Sequence, residues 1–370
     1  MPVLYAQENS NPSHALEELS MEVVFKSTPF QAQADVLFGA KSYFMDRFTP
    51  AVEEIRLPAF ELQTGEIRLS FTPEVTVSCS KDVSQRRRLL ANLKTGLEPQ
   101  SIEDLVLVDF RCHSPSNWAH SLHSHIPLSF LIQHELKDIF HDRSPLFILS
   151  KNIPTYIRNL YQFFGLQIMT TDRDIRGKFV EFEITPFQCL RTAAPGLIQQ
   201  LIAETPAYQQ LLQNSDQLPK PLPQKVFLSR RDTRRLKNEA MVEQYLAKYG
   251  FQKLYAENLT VQQQLALFIH ATDIVAIHGA GMGPLLYRPA DRSPLKLLEI
   301  LSPGHMTKFY RGVAHQIGAR WVGVRGRLEP KQIQAAYDFT KPFLAYSLDD
   351  FDLDLDSLEL ALAHLNQPVL

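Results

Sequence analysis

The clearest chemistry in this chain lies where a short apolar run of β type, Asp273 to Ile277, ends in His278-Gly279-Ala280-Gly281-Met282-Gly283. A strand that breaks into alternating glycines and then a helical pattern is how α/β proteins bring unpaired backbone N–H groups up to a phosphate. His278, Gly279, Ala280, Gly281 and Met282 are therefore candidate phosphate contacts. A second element, Ser229-Arg230-Arg231-Asp232-Thr233-Arg234-Arg235, begins at the end of another strand-type run. A guanidinium offers paired donors to phosphate oxygens, so Arg230, Arg234 and Arg235 are candidate diphosphate ligands. The alternative is a solvated helix start whose arginines pair with Asp232 or Glu239. Glu299, twenty residues beyond Gly279, ends the next strand-type run. It is a candidate acceptor for a ribose diol, or else a partner of Lys308 or Arg311.

These residues need a scaffold that gathers strand ends on one edge. The second half supplies it, with strands expected at 225–229, 251–255, 274–277, 295–300 and 320–324. Helices are expected at 234–249, 260–271, 282–287 and 305–317. Gly250 has the place of a helix C′ residue, and Thr260 with Gln263 has capping-box spacing. Such alternation predicts a parallel sheet flanked by helices. The first half reads as α/β with a β-rich start. A helix is expected over 117–136, kinked or split at Pro127. The predicted division is a first domain at 1–213, a Pro-rich linker at 214–224, a second domain at 225–330 and a helical tail at 331–370.

Composition narrows the class. Hydrophobic residues make up 45% and charged residues 21% of the 370, values of a globular protein with a sizeable core. Lys plus Arg total 38 against 40 Asp plus Glu, net −2, so a nucleic-acid partner is not expected. Cys79, Cys112 and Cys189 are too few and too scattered for a disulfide framework or a zinc cluster. His113, His120, His123 and His125 lack a carboxylate or cysteine at ligand spacing, and no metal site is expected. Asp172-Arg173-Asp174 is taken as chance spacing. Neither a signal peptide nor a membrane span is expected, which places the protein in the cytoplasm.

Taken together, Ser229-Arg230 with Arg234-Arg235 and Asn238-Glu239, then Gln263, Ala271, His278-Gly279-Ala280-Gly281 and Glu299, resemble the pattern of glycosyltransferase family 61, also termed DUF563. Asn117-Trp118-Ala119-His120-Ser121-Leu122 looks like that family's Asn-aromatic-x-His motif. The resemblance runs through about residues 105–325 in order. It departs at Pro284-Leu285, where the family usually has an asparagine, and at Ile126-Pro127-Leu128, which lacks an arginine. The family implies a GT-B fold, two Rossmann-like domains facing a cleft. It also implies inverting transfer from a nucleotide sugar to a glycan or glycoconjugate hydroxyl, with no cofactor and no obligatory metal. Peripheral association with a membrane-bound acceptor is compatible with it.

Inverting transfer needs a base for the acceptor hydroxyl. His120 is the first candidate, since imidazole titrates near neutrality, and Asp109 is the second. The plainer reading of His120 is a helix residue packed under Trp118. Asn117 and Trp118 are candidate acceptor-side residues, with Asn117 also suited to fixing the helix start. Two rivals stand beside the transferase. One is a non-catalytic nucleotide- or glycan-binding relative. The other is a nicotinamide-dependent oxidoreductase, since Gly279-x-Gly281-x-Gly283 with Glu299 approaches a dinucleotide fingerprint. The third glycine comes one place early, however, and Pro284 occupies its slot.

Overall fold

The computed structural model describes residues 22–40, 52–62, 64–77, 98–111, 116–137, 144–185, 194–213, 222–289, 291–292, 294–328 and 346–367. Residues 214–221 of the expected linker, all three cysteines and His113 lie outside these, as do 331–345 of the expected tail.

The chain divides into two compact units, Met1–Pro29 with Gln63–Gln210, and Phe30–Leu62 with Leu211–Leu370. The first thus loses an N-terminal segment that the sequence reading had assigned to it, and the C-terminal residues belong to the second. Strand β1 (Glu22–Lys26) opens the first unit. The next four strands belong to the second: β2 (Phe30–Ala32), β3 (Asp35–Ala40), β4 (Val52–Leu57) and β5 (Phe60–Leu62). The first unit then resumes with β6 (Glu66–Val77), β7 (Gln100–Asp109), β8 (Leu146–Leu149), β9 (Ile168–Thr170) and β10 (Ile175–Thr185). Its sheet runs β1-β6-β10-β7-β8-β9. Strands β10, β7, β8 and β9 are parallel, while β6 is antiparallel to both β10 and β1.

Between β7 and β8 the chain forms α1 (Trp118–His120), a π-helical turn over Ser121–His125, and α2 (Ile126–Glu135). The expected helix is therefore interrupted before Pro127 rather than at it. Pro127 sits in the first turn of α2, where a missing N–H costs little. Helix α3 (Thr155–Phe163) joins β8 to β9. The π-helical turn Ile198–Ile202 and α4 (Pro206–Gln213) precede the remaining strands.

The second unit continues with β11 (Lys225–Ser229), α5 (Glu239–Ala247), β12 (Gln252–Tyr255), α6 (Val261–His270) and β13 (Asp273–Ile277). A 3-10 helix over Ala280–Tyr287 follows, then β14 (Lys296–Leu301), α7 (Phe309–Gln316), β15 (Arg320–Arg325) and α8 (Leu355–Asn366). The sheet order is β12-β11-β13-β14-β15-β3-β4. Every pair is parallel except β3 with β4. The architecture is mixed α/β.

Side chains alternate across this sheet. Phe227, Val275, Ile277, Leu298, Ile300, Val322 and Val324 form one core with Val242 and Leu246 of α5 and Leu358, Ala361, Leu362 and Leu365 of α8. The expected tail helix is thus part of the fold. Phe30–Leu62 is tied in through α7: Arg311 Nε donates to Asp35 at 2.7 Å, and its Nη2 donates to the carbonyls of Gln33 and Pro58. His315 Nε2 meets the same Asp35 carboxylate at 2.6 Å.

Candidate functional site

β11 is flanked by β12 on one side and β13 on the other, so the strand order reverses between β11 and β13. In open α/β sheets, ligands bind beyond the carboxyl ends of the strands at such a switch point. Arg230 follows β11, and His278-Gly279 follows β13. Arg230 spans the gap: its Nη1 donates to the His278 carbonyl at 2.9 Å. Its Nε donates to the Thr233 carbonyl at 3.0 Å, and its Nη2 to Thr233 Oγ1 at 3.3 Å.

The glycine turn works differently from expectation. Gly279 has φ 162° and ψ −173°, extended backbone open to any residue. None of Gly279, Gly281 or Gly283 lies in the left-handed region. What demands glycine at 279 is space, because a Cβ there would lie 1.4 Å from Arg230 Nη1. Ala280, Gly281 and Met282 begin the 3-10 helix, and the Gly279 carbonyl accepts from the Met282 N–H at 3.0 Å and from Tyr310 Oη at 2.9 Å.

Arg234 does not begin α5. It sits in the loop before it, with φ 58°, in the left-handed region that costs a non-glycine residue about 1 kcal/mol or more. Its backbone N–H is held by the Leu348 carbonyl at 3.1 Å. Its Nε and Nη1 are buried and make no hydrogen bond. Burial, and then the neighbouring Arg230 charge, push its pKa down to about 10. Burial also lowers Arg230, against the opposing effects of Tyr310, Asp232 and Glu257. Among the described residues neither guanidinium forms an ion pair. Both remain charged at neutral pH, and that charge has no contacting counterion.

Arg235 and Glu299 do not join them. Arg235 is exposed and engages Asp350, with Nε at 2.9 Å and Nη2 at 2.6 Å from Oδ2. Its side chain is thus committed to a carboxylate rather than to a phosphate. Glu299 is fully buried. Its Oε1 lies 2.5 Å from His278 Nδ1, and its Oε2 accepts from Trp321 Nε1 at 2.7 Å. Both oxygens are used, so it is neither a ribose acceptor nor a partner of Lys308 or Arg311. A carboxylate accepting at Nδ1 fixes the proton there and leaves His278 Nε2 as the ring's free face. Trp321 reaches Glu299 because Gly323 is small: a Cβ at Gly323 would lie 2.6 Å from the indole Cη2. The His278 ring lies 5.0 Å from that of His305 and 5.3 Å from that of Tyr310. Trp321, Tyr310 and His305 were not expected at the site, since each comes from an element with no motif of its own.

The remaining candidates belong to the first unit. Asp109 is held by Arg111, whose Nε and Nη2 donate to its two oxygens at 2.9 and 2.8 Å. Arg111 Nη1 donates further to the Arg173 carbonyl at 2.7 Å. Both oxygens of Asp109 are thus engaged by Arg111, so Asp109 is better read as an anchor for that side chain. Asn117 Oδ1 accepts from the His120 N–H at 3.1 Å, the helix-start role expected of it. Trp118 is buried with its indole edge-on to Tyr156 at 5.9 Å, and its Nε1 has no partner. His120 is half-buried and immediately precedes the π-helical turn, a distortion often found at functional sites. His123 and His125 are buried, with His125 stacked 4.8 Å from Phe110. Among the described residues, no three His, Cys, Asp or Glu side chains are grouped to hold a metal ion, and no helix is long and apolar enough to cross a membrane.

A family model described as Glycosyltransferase 61 matches residues 102–293, more than half of the chain. It spans Asn117, Trp118 and His120 in the first unit and the whole switch point in the second. No curated protein matches the chain.

Proposed function

The chain belongs to glycosyltransferase family 61, and from that premise we propose that it is an inverting transferase whose nucleotide-sugar diphosphate sits at the β11/β13 switch point. A glycosyltransferase acts on a sugar donor and an acceptor. In this reading the organisation is GT-B-like, with the donor on the second unit and the acceptor, a glycan or glycoconjugate hydroxyl, on the first. The observation that carries it is Arg234, a strained, half-buried residue next to Arg230 whose Nε and Nη1 are buried without a hydrogen-bond partner. A folded protein keeps such a guanidinium where an anion completes it.

The chemistry follows from charge. As the sugar–phosphate bond breaks, its electron pair moves onto a phosphate oxygen. Arg230 and Arg234 stabilise that charge in a partly buried setting where such contacts are strong. This role is one that a divalent cation fills in other transferases, and transfer here is proposed to proceed without an obligatory metal or cofactor. His278, with its tautomer set by Glu299, presents Nε2 as a further polar contact. His120 is proposed to take the acceptor proton, with Asn117 fixing its helix start and Trp118 beside it. The protein is proposed to work in the cytoplasm, including at the surface of a membrane that carries its acceptor.

Thermal shift with UDP-, GDP- and CMP-sugars and with reduced nicotinamide cofactors tests the reading. A cognate ligand at 100 times its Kd adds about 2.7 kcal/mol to apparent stability. One nucleotide-sugar class is expected to raise Tm, and Arg234→Ala to abolish the rise. Preferential stabilisation by the nicotinamide cofactor overturns it. His120→Ala is expected to remove turnover while leaving donor binding intact, and retained turnover removes His120 as the base.

A further inference from the structure

His305 has no assigned role, yet the fold fixes it tightly. It closes a turn with Ser302, its N–H donating to the Ser302 carbonyl at 2.9 Å, while buried Ser302 Oγ accepts from the Gly304 N–H at 3.3 Å. Gly304 is pressed against the 346–351 segment, and a Cβ there would lie 2.2 Å from the Tyr346 carbonyl. The turn sets the His305 ring 5.0 Å from that of His278. Three elements surround this pair. The end of β13 brings His278, with Glu299 of β14 behind it. The loop after β11 brings Arg230 and Arg234. Helix α7 brings Tyr310 against His278. The carboxylate in this group, Glu299, is occupied by His278 and Trp321.

We propose that His305 is a further anion-binding group of this site, neutral while the site is empty and protonated once a phosphate group occupies it, so that binding takes up one proton. The proposal rests on the switch point being an anion site and adds a property of that site. Burial first, and then His278, Arg234 and Arg230, hold the ring down to about 4, so it is uncharged at neutral pH. A multiply charged anion reverses the local field, and opposite charge at close range is enough to restore the imidazolium. The sign follows. A group whose pKa rises on binding strengthens affinity at low pH, and this gain disappears as pH climbs through the bound-state value. Between about 4 and that value the contribution falls up to tenfold per pH unit. The site therefore favours a diphosphate over a monoanion, because only the former carries enough charge to recruit the extra proton.

Calorimetry with inorganic pyrophosphate tests this, run at pH 7.5 in two non-phosphate buffers of different ionisation enthalpy. The ligand's own protons are common to wild type and His305→Gln and cancel in the difference. Wild type is expected to take up close to one proton more per pyrophosphate than the variant. Affinities are expected to differ about 100-fold at pH 6.5 and about tenfold at pH 7.5, and to converge toward pH 9. Histidine-labelled wild-type protein gives a second readout independent of the variant's folding, since the His305 ring resonance moves to its imidazolium position on saturation. Equal proton uptake, or a His305 resonance that stays neutral, overturns the role of His305 and leaves the anion site standing. No pyrophosphate binding by wild type overturns both.

Discussion

Gly279→Ala removes the contribution of Arg230 without altering its guanidinium. The backbone at 279 is extended, with φ 162°, so alanine fits it without strain. The added Cβ would sit 1.4 Å from Arg230 Nη1 and 2.6 Å from its Cζ. Restoring ordinary contact requires the end of the side chain to retreat by about 2 Å. The 2.9 Å bond from Nη1 to the His278 carbonyl then opens beyond hydrogen-bonding range. Arg230 is the flexible partner, so the fold survives and the bridge across the switch point is what is lost. Hydrogen bonds to charged groups are worth about 1.5–3 kcal/mol, so the Kd for the cognate nucleoside diphosphate is expected to rise about 10- to 100-fold. The assay is a calorimetric cycle of Gly279→Ala, Arg230→Ala and the double variant. If alanine acts through Arg230, the double variant binds no more weakly than Arg230→Ala alone. An unchanged Kd for Gly279→Ala, or fully additive losses, refutes this account of the glycine.

Arg235→Ala is expected to leave nucleotide affinity within about twofold, because its guanidinium already serves Asp350. Its exposed ion pair is worth about 0–1 kcal/mol of stability. The Asp350 carboxyl, held below its usual range chiefly by the Arg235 hydrogen bond, is expected to titrate higher in this variant by carboxylate NMR. Glu299→Gln is expected to lower stability by about 1.5–3 kcal/mol and to switch the His278 tautomer. One amide oxygen must serve Trp321, which turns the NH2 toward His278 Nδ1. Nitrogen NMR of the His278 ring reads that switch directly, and an unchanged tautomer contradicts the buried acceptor role.

What could be read ahead of the structure was local. Thr260 and Gln263 do form a reciprocal capping box, at 3.2 and 2.9 Å, because both partners lie within one turn. Gly250 does follow a helix end with φ 84°. The strands carrying the site were visible as apolar runs because parallel strands are buried on both faces. The misreadings share one cause, since each depended on a partner distant in sequence. Glu299 was read as a ligand-facing acid because nothing near it announces Trp321. Arg235 looked equivalent to Arg234 until Asp350, 115 residues away, singled it out. Phe30–Leu62 was placed with its neighbours in sequence, whereas Arg311 draws Asp35 into the second unit across 276 residues. His305 stands in a short loop after β14, and only the fold brings it to His278.

Arg234→Gly separates a ligand site from a structural one by the sign of its effect on stability. Losing a structural arginine destabilises a protein. Here glycine removes a left-handed φ of 58° on a non-glycine residue, worth about 1–2 kcal/mol. It also removes buried, unpartnered Nε and Nη1 groups, worth about 1–3 kcal/mol more, and relieves repulsion with Arg230. Against this stand the lost packing of the aliphatic stem and the extra chain entropy of glycine, about 0.5–1 kcal/mol. The balance favours the variant, so the unliganded Arg234→Gly protein is expected to melt above wild type. Its Tm is then expected not to respond to the nucleoside diphosphate that stabilises wild type. A lower melting temperature without ligand shows that the strain at Arg234 is held for the fold. A higher one, with the ligand response abolished, shows that stability has been given up at this position for the anion.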